Sequence, residues 1–78
     1  MKAHVRDKIL EVLETRDSPT PASIISAWIW VKYKDQVSAL SVGKYCRELA
    51  LDGHILRSRK GPGFIYLYEK VGGGGAGG

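Results

Sequence analysis

The first apolar positions recur at Val5, Ile9, Val12 and Leu13, with Leu10 at the edge, which is the stripe of a surface helix lying on a core. The spacing predicts a helix over Ala3 to Thr15, with Arg6, Asp7, Lys8, Glu11 and Glu14 on the water side as i,i+4 partners. Arg16-Asp17-Ser18-Pro19 ends it, because the residue before a proline resists the helical region and Asp and Ser compete for backbone hydrogen bonds. A second helix is expected from Thr20-Pro21, with Thr20 as its N-cap and Pro21 at the first helical position, where a missing N–H is harmless. Its expected core face is Ile24, Ile25, Trp28 and Val31, with Ala27 allowing close approach; Ile29 and Trp30 then point away. Either this helix is covered on two sides, or Ile29 and Trp30 form a dimer or partner surface. The alternation of Trp28 to Val31 also fits a short strand, but the capping signal upstream favours helix.

Lys32 to Ser38 reads as the end of that helix and a turn, with Ser38 or Ser41 capping the next one. From Ser41 onward Val42, Cys46 and Leu49 share one side of a third helix, while Lys44, Arg47 and Glu48 share the other. Leu40 and Leu51 also fall on the outward side. Gly53 permits the left-handed conformation that closes a helix, and the chain runs straight on into a strand at His54, Ile55 and Leu56. That strand continues to Arg59-Lys60, where Gly61-Pro62-Gly63 fits a type II turn, and it returns as Phe64-Ile65-Tyr66-Leu67-Tyr68. In the returning strand Phe64, Tyr66 and Tyr68 share one face, and Ile65 and Leu67 the other.

Composition narrows the class. The 78 residues are 44% hydrophobic and 26% charged, which is ordinary for a soluble globular domain and too little chain for two cores. Residues 1–71 are read as that one domain and 72–78, six glycines and an alanine, as a flexible tail. The longest apolar run, Ile24 to Val31, is far shorter than the about 20 residues needed to span a bilayer, and the chain starts without a signal-peptide pattern. No membrane contact and a cytoplasmic location are therefore expected. Formal net charge is +4, and between Lys44 and Lys60 five basic residues (Lys44, Arg47, Arg57, Arg59, Lys60) face two acids (Glu48, Asp52), a surplus suited to a phosphate backbone.

The sequence offers little to an enzyme, and none is expected. His4 and His54 are far apart, and Cys46 sits at a core position as a small hydrophobe. No Cys/His spacing suits a metal, one cysteine makes no internal disulfide, and Gly61-Pro62-Gly63 lacks the helix that follows a phosphate-cradling loop. No catalytic residue, cofactor, metal or small-molecule substrate is assigned.

Three helices, a strand, a basic glycine-containing turn and a returning strand make an α+β order. Cys46 and Leu49 stand seven and four places before Gly53, followed by Ile55-Leu56, by Arg59-Lys60-Gly61-Pro62-Gly63, and by Tyr66 or Tyr68. Over residues 3 to 70 this resembles the winged helix-turn-helix superfamily, three helices with a C-terminal hairpin wing. The resemblance implies that the third helix enters the major groove of double-stranded DNA and that the wing lies on the backbone or minor groove; with the basic third helix and wing, the expected function is a DNA-binding module, a small transcriptional regulator for which a homodimer or another protein partner is open. Carried over by position, the DNA contacts are Ser41, Gly43, Lys44 and Arg47 on the helix and Arg57, Arg59 and Lys60 on the hairpin. One departure is the interval from Thr20 to Ser41, longer than a compact helix-turn-helix needs, which implies an extended second helix or an extra short segment. The alternative is a winged-helix protein-interaction module without DNA binding, for which Ile29, Trp30, Leu40 and Leu51 argue.

Overall fold

The computed structural model describes residues 2–60 and 65–71, with the side chains of residues 2–4 and 60 outside that description. The expected turn at 61–63, Phe64 and the tail at 72–78 also lie outside it. Helices α1 (Lys2–Glu14), α2 (Ala22–Tyr33) and α3 (Ala39–Leu51) enclose a core with a sheet made of β1 (Thr20–Pro21), β2 (Ile55–Lys60) and β3 (Ile65–Lys70). The architecture is α+β, with three helices and a three-stranded antiparallel sheet of order β1-β3-β2.

Helix α1 follows its stripe: Ile9, Val12 and Leu13 are buried, with Val5 and Leu10 partly so. Its last turn is tightened where the Thr15 and Arg16 N–H groups donate to the carbonyls of Val12 (3.2 Å) and Leu13 (3.1 Å). The charges on its outer side pair across the fold rather than along the helix. Arg6 reaches Asp52 (3.3 Å), Lys8 reaches Asp35 (2.8 Å), and Glu11 accepts from the Tyr33 hydroxyl.

Thr20 and Pro21 correct the expected helix start. They form an edge strand in which Thr20 pairs with Tyr68 and Pro21 with Leu67, and α2 begins one residue later. The Thr20 hydroxyl is buried and spent locally, donating to the Ser18 carbonyl (3.0 Å) and accepting from Arg16 Nε (3.0 Å), so it caps no helix. Pro21 takes an extended backbone (φ −76, ψ 161) at the helix N-cap without a capping side-chain bond. A proline has no N–H for a sheet ladder, and an edge strand is where that loss is tolerated.

The phase of α2 is the larger correction. Ile25 and Ile29 are its buried residues, Ile29 at 0% exposure, while Ile24, Trp28 and Val31 lie outside. Ile29 therefore belongs to the core and not to a partner surface; Trp30, at 51% exposure, does reach solvent. From Ala22 to Val31 no residue is charged, so two helical stripes of similar hydrophobicity compete and periodicity does not choose between them. The third helix does. A Cβ on Gly43 would lie 3.9 Å from the Ala22 Cβ, and the Ser26 hydroxyl donates to the Val37 carbonyl, which turns the Ala22, Ile25, Ile29 side inward.

Helix α2 stops at Lys34, in the left-handed region (φ 57), whose N–H donates to the Trp30 carbonyl (2.8 Å). The long interval before α3 is thus a 12-residue helix and a connection over 34–38, in which Val37 packs on the core. Ser38 caps α3 by accepting from the Ser41 N–H (3.2 Å), and Val42, Cys46 and Leu49 face inward as their spacing implies. At the other end Gly53 takes φ 83, and the Gly53 and His54 N–H groups donate to the carbonyls of Ala50 (3.1 Å) and Leu49 (2.9 Å). The following strand starts immediately, so α3 and the β2–β3 hairpin are held in a fixed relation.

Candidate nucleic-acid interface

Strand register decides what the hairpin shows to α3. Arg57 lies opposite Tyr68 and Arg59 opposite Tyr66, so these four share one face of the sheet with Ile55, and the buried Ile55 and Tyr68 mark that face as the one towards the helices. Between it and α3 runs an open cleft of about 640 Å³, lined by Ala39, Leu40, Gly43, Lys44, Arg47, Arg57, Tyr66 and Tyr68. Three cations project there from two elements, and among the described lining residues none is acidic. The Arg57 guanidinium carbon sits 4.6 Å from the Tyr66 ring centroid, a cation–π contact that holds the fork at the cleft wall before any ligand arrives.

Of the residues expected to meet DNA, Gly43, Lys44, Arg47 and Arg57 are brought together. Arg59 is exposed on the same face of the hairpin, farther out along β2. Lys60 pairs with Ile65 through the backbone, and its side chain lies outside the described residues. Ser41 is engaged elsewhere: its N–H and its hydroxyl both meet Ser38 Oγ, at 3.2 and 3.1 Å, as part of the helix cap. That contact occupies the Ser41 N–H, one of the two groups, with the hydroxyl, that Ser41 could offer a phosphate.

Ala39, Leu40, Tyr66 and Tyr68 line the cleft without having been among the expected DNA contacts, although Leu40 was expected on the outward side of α3. Tyr66 stands out only once the register sets it beside Arg57, because alternation along one strand does not say what the neighbouring strand places next to it. Leu40, on the first turn of α3, is 88% exposed and shares the helix face of Lys44, Arg47 and Leu51. An apolar side chain left so bare at the mouth of a basic cleft gains nothing for the fold.

Gly43 separates two demands on α3. An added Cβ would meet only Ala22, at an ordinary van der Waals distance of 3.9 Å, so the fold leaves room for alanine. Gly43→Ala should therefore raise stability by about 1 kcal/mol, or about 4–8 °C in Tm, because helical glycine carries that cost. A lower Tm in thermal melts would contradict this packing. Since Gly43 also lines the cleft, the same variant should bind a close-fitting groove wall less well.

Beneath the cleft, burial pushes the Cys46 thiol from its ordinary 9.0 up to about 12. Tyr68 is also raised, first by burial and then by Cys46, with Arg57 pulling the other way. Cys46 should stay unmodified by a thiol reagent at pH 8 in the native protein and react once urea unfolds it. Above pH 9 the unfolded thiol releases its proton while the native one keeps it. Cys46 thus favours folding fully below pH 9, and that contribution falls by up to about 1.4 kcal/mol per pH unit until about pH 12. Native-state labelling as fast as that of a free thiol would refute the burial.

Among the described residues no three His, Cys, Asp or Glu side chains gather as a metal site, and no helix is long and apolar enough to cross a membrane. No protein-family model, curated protein or solved structure matches the chain. The cleft has to be interpreted from its own chemistry.

Proposed function

We propose that this chain is a winged helix-turn-helix domain that binds double-stranded DNA, with α3 in the major groove and the β2–β3 hairpin as the wing on the backbone or minor groove. The observation that carries the reading is the convergence of Lys44, Arg47 and Arg57 on one cleft between a helix and a hairpin. Phosphate oxygens suit all three, and a major groove about 12 Å wide admits one α-helix, which leaves the hairpin to the backbone beside it. Arg47 is the residue for base reading, because its planar fork can donate twice to guanine O6 and N7. Leu40 supplies an apolar contact of the kind a thymine methyl makes in the major groove. Such a domain acts as a small transcriptional regulator.

The alternative, a protein-interaction module without DNA binding, draws on the exposure of Leu40 and Leu51 along the outward side of α3. The two readings part in one experiment. Equilibrium titration of a mixed-sequence duplex at low salt should show binding, and Arg47→Ala should then narrow the gap between preferred and other sequences. An absence of binding at low salt ends the DNA reading.

A further inference from the structure

We propose that Leu40 is a specificity-determining residue that seats the C5-methyl group of a thymine in the major groove, about three base pairs from a guanine held by Arg47. The inference rests on the DNA reading and adds to it which base the start of α3 selects. Leu40 lies in the first turn of the helix and is 88% exposed, yet it lines the same cleft as Lys44, Arg47 and Arg57. At about 100° per residue, Leu40, Lys44, Arg47 and Leu51 fall within a sector of about 60°. A helix that enters a groove along this stripe carries Leu40 in with the two cations. Leu51, the other apolar residue of the stripe, stands at the far end of α3 and outside the cleft lining.

The chemistry of the groove selects what Leu40 meets. A phosphate oxygen offers an alkyl side chain nothing, and thymine alone among the four bases presents a methyl group in the major groove. That methyl is where Leu40 leaves water on binding. Burying one such group is worth about fourfold in affinity, a preference between bases, while the cations supply the attraction to the backbone. The first turn that carries Leu40 is fixed before DNA arrives, because Ser38 Oγ accepts from the Ser41 N–H at 3.2 Å. Arg47 follows seven residues later, about 10.5 Å along the helix axis, which spans about three base steps of 3.4 Å. Its fork donates to guanine O6 and N7. The two side chains thus ask for a thymine and a guanine at a set separation.

The test starts from the duplexes that the full chain retains out of a randomised pool at low salt. Each is resynthesised with deoxyuridine in place of one thymine at a time, an exchange that removes the methyl and keeps the base pair. Anisotropy titrations should find one thymine, about two to four base pairs from a retained guanine, whose exchange weakens binding by about three- to tenfold. Leu40→Ala should bind the thymine and deoxyuridine forms alike. It should also keep the wild-type salt dependence and circular dichroism, since the side chain it removes is mostly in water. Arg47→Ala should keep the thymine preference and lose the guanine preference. Retained duplexes without a thymine at a fixed position overturn the inference, as does equal binding of deoxyuridine at every position or a methyl effect that persists in Leu40→Ala. In those three cases salt-dependent duplex binding still supports the DNA reading. No binding of any duplex at low salt overturns that reading and this inference together.

Discussion

Replacing Ile29 with alanine should cost about 2–5 kcal/mol of folding free energy, a shift of roughly 30-fold to 5,000-fold in the folding equilibrium. Ile29 has no exposed surface and belongs to the buried core cluster that joins all three helices to the sheet, so truncation loses both its burial and the contacts of the atoms around the cavity. Small domains have folding free energies near the low end of about 5–15 kcal/mol, and this variant should approach the threshold of unfolding. The control is one residue away. Trp30→Ala should cost less, about 1–1.5 kcal/mol, because about half of the residue already meets water. Urea denaturation at low micromolar concentration checks both, and equal losses at the two positions would reverse the assigned phase of α2.

Raising salt from 50 to 200 mM should weaken duplex binding by about 40-fold if only Lys44, Arg47 and Arg57 neutralise phosphates, and by about 500-fold if Arg59 and Lys60 join them. Each neutralised phosphate releases condensed counterions, so three contacts give a log–log slope of about −2.7 and five give about −4.5. Arg57→Ala should reduce the magnitude of the slope by about 1 and weaken all sequences alike. Tyr66→Phe should keep the slope, because the ring that holds the guanidinium remains. A slope near zero would mean that the cleft does not track a phosphate backbone, whatever affinity is measured.

Much of the fold was legible because local rules agreed with one another. In α1 and α3 the charged residues are confined to one side, Leu40 and Leu51 being the apolar residues that join them on α3, so Ile9, Val12, Val42, Cys46 and Leu49 have only one way to face. Ser38 and Gly53 bracket α3 with capping chemistry that needs no knowledge of the rest of the chain. The signal failed in α2, where a helix without charge up to Val31 offers two equivalent faces. It failed again at Thr20-Pro21, whose residue types suit a helix start but whose backbone is claimed by the free edge of β3.

The candidate cleft divides in the same way. Lys44, Arg47 and Arg57 stand out as a local surplus of positive charge, which is a property of composition. That Arg57 turns towards α3, that Tyr66 stacks on it, and that Ser41 is consumed by its own cap all depend on which residue lies opposite which. By itself the sequence determined an α+β domain, the inward faces of α1 and α3, and a basic segment from Lys44 to Lys60, because each follows from the period and charge of a short stretch. The inward face of α2, the third strand and the membership of the cleft were decided only by the tertiary structure. There, contacts between residues distant in the chain choose between local alternatives of nearly equal free energy.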